Sequence, residues 1–172
     1  MHSGDFDLKA LYEALDAQRA ARTLTWSQVA RELSRAFART PARPVSASTI
    51  TGIRGRQEVE GDGVLQMLIW LDRTPESFVP GCPQPEAASG ALPRPGPGQV
   101  LRWNACAIHA ALDARRLERG MTWTQVASEI GGHTPAMLTR MAKGGRVSMP
   151  GVMRIVRWLG LPAASFTHLT DF

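Results

Sequence analysis

Apolar residues recur at helical spacing in four successive segments, and the same order of segments then returns. In the first half Phe6, Leu8, Leu11, Tyr12 and Leu15 lie at three- and four-residue intervals, which predicts an amphipathic helix. Val29, Ala30 and Leu33 predict the stripe of a second helix, Ile50 and Ile53 of a third, and Val64, Leu65, Leu68 and Leu71 of a fourth. The second half repeats this with Trp103, Ile108 and Leu112, then Val126, Ala127 and Ile130, then Leu138 and Met141, then Val152, Ile155, Val156 and Leu159. A short segment, Pro75 to Phe78 and Pro162 to Phe166, closes each half. The expected class is all-α, about five short helices per half and no strands. Trp70 and Trp158 fall in line with the fourth stripe and are expected to be core anchors.

Polar positions repeat as faithfully. Leu15-Asp16-Ala17-Gln18-Arg19 returns 97 residues later as Leu112-Asp113-Ala114-Arg115-Arg116, and Thr25-Trp26-Ser27-Gln28-Val29-Ala30 as Thr122-Trp123-Thr124-Gln125-Val126-Ala127. Trp70-Leu71 and Ser77-Phe78 return 88 residues later as Trp158-Leu159 and Ser165-Phe166. Thr25 with Gln28 and Thr122 with Gln125 form capping boxes that open helix two, and Ser46 and Thr134 are N-caps of helix three. Repeats of about 70 residues are whole domains rather than solenoid units. The expected division is copy one at 1–79, a linker at 80–99 and copy two at 100–172. The linker holds six prolines and four glycines, which reads as a semi-stiff spacer. Copy one differs by an insertion at 34–45, twelve residues where copy two has only Gly131-Gly132-His133. The insertion could carry helix two on through Arg39, stacking Arg35 and Arg39 on one face with Arg43 following in the loop.

Charge separates the copies. Residues 1–85 hold ten Lys and Arg against ten Asp and Glu, residues 86–172 ten against five, so the net +5 belongs to the second half. Eighteen of the twenty basic residues are Arg, whose fork suits phosphate and guanine. Cys82 and Cys106 have no metal-ligand spacing and read as reduced thiols. His2, His109, His133 and His168 have no carboxylate or cysteine at triad or ligand spacing, and no phosphate-binding fingerprint follows a strand, so neither catalysis, cofactor nor metal is expected. The longest apolar stretch, Val64 to Leu71, is too short to span a membrane, and the N-terminus opens with Asp5 and Asp7 rather than a signal peptide.

A capped helix, a short turn and a second short capped helix make a helix-turn-helix pattern. Met121 to Gly144 and Met149 to Leu161, echoed by Leu24 to Leu33, Ser46 to Gly55 and Val64 to Asp72, resemble phage-repressor-like (Cro-like, XRE-type) DNA-binding domains. The resemblance covers both copies and omits the linker. It implies two lambda-repressor-like helix-turn-helix domains in tandem, and a bacterial or phage transcriptional regulator of double-stranded DNA, cytoplasmic and nucleoid-associated when bound. In that family helix three reads base edges and the start of helix two holds phosphate. Carried over, the DNA-binding positions of copy two are Thr124 and Gln125, then Thr134, Pro135, Ala136, Thr139 and Arg140, with Lys143 and Arg146 on the backbone. Those of copy one are Ser48, Thr49, Thr51, Arg54 and Arg56, with Gly52 standing where Arg140 stands. Trp26 and Trp123 take the family's phosphate-contacting polar position; they either pack at the helix start or bond a phosphate through the indole N–H. Arg35, Arg39 and Arg43 are expected to touch phosphate or a protein partner. The chain would act as a monomer with an internal pseudo-dimer, or as a homodimer. The alternative is a protein-interaction module in which copy one binds RNA polymerase, a toxin or a second copy of itself.

Overall fold

The computed structural model describes residues 5–35, 45–82 and 90–171. Copy one contains α1 (Leu8–Ala21), α2 (Trp26–Leu33), α3 (Ala47–Gly52) and α4 (Gly61–Leu71), with single 3-10 turns at Ile53–Gly55 and Pro75–Phe78. Copy two begins with β1 (Gln99–Trp103) and continues with α5 (Ala105–Glu118), α6 (Trp123–Ile130), α7 (Pro135–Arg140), α8 (Met149–Leu159) and β2 (Thr167–Asp171). Its 3-10 turns lie at Met141–Lys143 and Ala163–Phe166. The chain is mainly helical, with a small two-stranded sheet.

Each helix starts where a polar side chain closes its first turn. Asp7 accepts from the Ala10 N–H at 2.9 Å and Asn104 from the Ala107 N–H at 2.9 Å. Both predicted capping boxes form, Thr25 N–H donating to Gln28 Oε1 at 2.7 Å and Thr122 N–H to Gln125 Oε1 at 2.8 Å. The apolar stripes are buried as the spacing predicts: Leu11, Leu15, Val29, Ile50, Val64, Leu65 and Leu68 are fully enclosed in copy one, and Ile108, Leu112, Val126 and Leu138 in copy two. The end of α1 and that of α5 turn back through a left-handed residue. That residue is Gly120 in copy two (φ +61°) but Thr23 in copy one (φ +55°), where a β-branched side chain is strained. Thr23→Gly is expected to raise stability by about 1 kcal/mol, seen as a higher urea midpoint at unchanged slope.

Four expectations are corrected. Strands are present: Trp103 lies in β1, not on a helix, and β1 pairs antiparallel with β2, Gln99 opposite Asp171 and Trp103 opposite Thr167. The positions of copy one that correspond to β2 begin Val79-Pro80-Gly81-Cys82, and Pro80 lacks the N–H a ladder needs. The spacer also ends sooner, because Gln99 is already strand. Helix two stops at Leu33, where Ser34 leaves helical geometry and its hydroxyl donates to Val45 O at 3.2 Å, instead of continuing straight into the insertion. Arg39 and Arg43 lie outside the described residues. Trp70 and Trp158 are only half-buried, each anchored by its polar edge as described below.

The two copies share one buried core and dock through the first turns of α4 and α8. Gly61 N–H donates to Val147 O at 2.8 Å, and Met149 N–H donates to Val59 O at 2.8 Å. Glu60 and Ser148 form an antiparallel bridge between these bonds. At the 88-residue offset Val59 corresponds to Val147, Glu60 to Ser148 and Gly61 to Met149. Each bond is therefore the image of the other, which is the self-complementary pairing of a two-fold interface, realised inside one chain. The crossing continues outward. Gln66 Nε2 donates to Leu101 O at 3.0 Å, while its counterpart Arg154 forms a two-toothed ion pair with Asp5 at 2.8 and 2.9 Å. Asp62 accepts from the Trp103 N–H at 2.9 Å and pairs with Arg102 at 3.2 Å.

Candidate nucleic-acid interface

The candidate surface of copy two is built on α7. Thr134 caps it by accepting from the Met137 N–H at 3.2 Å, and Pro135 occupies the first position, where no N–H is needed. Leu138 and Met141 face the core, which turns Ala136, Met137, Thr139 and Arg140 outward. Thr139 donates its hydroxyl proton to Pro135 O at 3.1 Å, leaving the oxygen as an acceptor. Beyond the 3-10 turn Gly144 and Gly145 adopt φ +74° and +108°, and the chain presents Lys143 and Arg146 to solvent on either side of them. Thr124 and Gln125 are exposed on the first turn of α6, although Gln125 Oε1 is committed to the capping box.

Copy one presents a weaker version. Ser48 and Thr49 bond through their hydroxyls to Ser46 at 2.9 and 2.8 Å, and Thr51 donates to Ala47 O at 3.1 Å. Arg54 lies over the Tyr12 ring at 5.3 Å. Arg56 folds back across Gly52, its guanidinium 3.8–3.9 Å from where a Cβ would stand. Arg35 is exposed just after α2.

Among the described residues these cations, like Arg31 and Arg73, lack the ion-pair partners that many arginines of the chain have. Elsewhere Arg19 pairs with Asp16, Arg22 with Glu32, Arg102 with Asp62, Arg116 with Asp113, Arg119 with Glu129 and Arg154 with Asp5, all within 3.2 Å. Among the described residues no ion pair reaches Arg54, Arg56, Arg140, Lys143 or Arg146. Cations left without carboxylates on one exposed surface attract an anion with least competition from the protein itself.

Sequence reasoning missed a paired clamp behind this surface. Trp70 Nε1 donates to Glu32 at 2.7 Å and Trp158 Nε1 to Glu129 at 2.8 Å, while Arg22 and Arg119 bond the same carboxylates and lie over the same rings at 5.3 and 5.4 Å. The clamp ties α2 to α4 and α6 to α8. Its signal was the identity of Arg22/Arg119, Glu32/Glu129 and Trp70/Trp158 between copies at exposed or half-exposed positions. Trp26 and Trp123 pack at the helix start, stacked on Tyr12 at 5.5 Å and His109 at 5.2 Å, with Arg19 and Arg116 over them at 5.0 Å. The indole hydrogen bond, then the arginine, holds both glutamates below the usual carboxylate range. Groups depressed in this way stabilise the fold above the unfolded carboxylate pKa, and that stability is lost as pH falls towards the folded value. Glu32→Gln with Glu129→Gln should therefore lower the melting temperature at pH 7 and flatten its decline below about pH 4.5, followed by thermal melts across pH 3–7.

Among the described residues no group of His, Cys, Asp and Glu is placed to hold a metal ion, and no helix is long and apolar enough to cross a membrane. Compared with known proteins, the chain matches no family model, no curated protein and no solved structure.

Proposed function

We propose that the chain is a sequence-specific double-stranded DNA-binding protein of the helix-turn-helix type, a transcriptional regulator whose two copies form an internal pseudo-dimer. The observation that carries the reading is the unpartnered cation cluster of Arg140, Lys143 and Arg146 on and after α7. An exposed short helix offering Ala136, Met137, Thr139 and Arg140 suits a major groove, where an Arg fork matches guanine and an apolar side chain meets the thymine methyl. Lys143 and Arg146 then hold phosphate. The two-fold supports the same reading, since duplex DNA offers related half-sites about a dyad and the 3-10 turns that follow α3 and α7 each end four residues before the paired Val59 and Val147.

The halves do unequal work. Gly52 stands in place of Arg140 and Glu58 in place of Arg146, so base reading falls to copy two. These two replacements also favour the second reading, in which copy two holds DNA while copy one meets a protein partner. Selection of bound fragments from a random duplex pool with the full chain tests the proposal: an enriched motif with its information concentrated in one half is expected. No enrichment, together with binding that lacks salt dependence, overturns it. Replacing Arg35, Arg39 and Arg43 with Ala should leave the selected motif unchanged while reducing salt dependence or the recovery of a co-purifying protein. A changed motif would make copy one a base reader.

A further inference from the structure

A cleft of about 440 Å³ opens beside α7, between that helix, the Gly144–Ser148 loop and the first turns of α8. Its volume is that of a small-molecule site. Val152 and Ile155 form an apolar floor with Met141, and Met137 and Val147 flank it. Arg140 and Arg146 stand at the rim as unpaired cations, and Glu58 reaches the cleft from the other copy. His133 contributes a ring whose Nδ1 bonds Gly131 O at 3.1 Å, and burial holds it towards the neutral form. With Nδ1 donating, Nε2 is an acceptor, and it lies 3.2 Å from where a Cβ on Gly151 would stand. Gly151 lets Ser148 Oγ and the His133 ring close over the first turn of α8, since a Cβ there would stand 2.7 Å from that hydroxyl.

Copy one fills the same place. Val45 corresponds to His133, Gly52 to Arg140 and Arg56 to Gly144, and Arg56 folds into the room above Gly52. The cleft is consequently a feature in which the copies have diverged: Arg140 adds a cation to copy two, Gly144 adds space, and His133 adds a neutral ring.

We infer that this cleft binds an amphipathic organic carboxylate, its apolar body on Met137, Met141, Val152 and Ile155 and its carboxylate on Arg140 and Arg146. A hydroxyl on such a ligand finds acceptors in Glu58 and His133. The inference deepens the DNA-binding reading and rests on it in one respect only: Arg140 and Arg146 cannot serve ligand and duplex together, so the ligand releases DNA and DNA weakens the ligand by the same factor. The cleft needs no DNA to bind its ligand.

The test uses the full chain and 3-hydroxy-2-naphthoate as probe, with 2-naphthol as the uncharged comparison. Without DNA, amide resonances of Met137, Gly144, Val147, Gly151 and Val152 should shift saturably with the naphthoate, and the naphthol should bind at least about tenfold more weakly. Arg140→Ala with Arg146→Ala should remove that preference, and Arg31→Ala should not. Absent or dispersed shifts, or equal binding of the two probes, would overturn the site. Displacement of a bound duplex by the naphthoate is read separately. Shifts without displacement uphold the cleft and count against these arginines as DNA contacts, whereas failure of the shifts leaves the DNA reading to its own selection experiment.

Discussion

The full chain carrying Arg140→Ala, Lys143→Ala and Arg146→Ala should lose at least about a hundredfold of its affinity for the preferred duplex, because one bidentate base contact alone contributes about 1–3 kcal/mol. The slope of log K against log salt should flatten by about 0.9 for each phosphate contact removed. Single variants divide the roles. Arg140→Ala should relax the preference at one base pair, whereas Lys143→Ala should weaken all sequences alike. Titrations of labelled duplexes at several salt concentrations read both quantities. The same sequence-independent loss from both variants would make Arg140 a phosphate clamp. All three side chains are exposed and unpaired, so a change in binding will not be a change in folding.

Gly61→Val should be the most damaging single substitution in the interface between copies. A Cβ there would stand 2.7 Å from Trp103 Cδ1, 2.8 Å from its Nε1 and 2.9 Å from Val147 O, the acceptor of the Gly61 N–H itself. Neither an enclosed indole nor a bonded carbonyl can move aside cheaply, and overpacking of this kind costs about 1–3 kcal/mol or more. Urea unfolding should show a midpoint lowered accordingly. Gly63→Ala is the comparison, since its Cβ would meet only Glu60 Oε2 at an ordinary 3.5 Å and alanine favours the helix by about 0.5–1 kcal/mol. If Gly61→Val unfolds like the unmodified chain, the copies are not docked through Gly61 in solution.

Much of this protein's local structure is legible in its sequence. The threonine–glutamine boxes at Thr25 and Thr122 and the N-caps at Ser46 and Thr134 act within four residues, so local hydrogen bonding suffices to place those helix starts. Apolar periodicity likewise separated the buried Ile50, Leu138 and Leu65 from the outward Thr139 and Arg140, because a helix converts spacing directly into facing. Repetition announced two copies.

What the chain order could not reveal was where the copies meet. Trp103 read as part of a helical stripe, yet it is a strand residue beneath Gly61, because its partner Thr167 lies far along the chain and pairing across that distance leaves no local period. The Trp70 and Trp158 indoles looked like core; their N–H groups instead turn each ring to a glutamate and an arginine at the surface. The two-fold itself depends on Val59, Gly61, Val147 and Met149 exchanging backbone bonds, and backbone donors and acceptors are the same whatever the side chain. Periodicity and capping are local and therefore written in the sequence, whereas docking and the cleft beside α7 arise only when distant segments share one core.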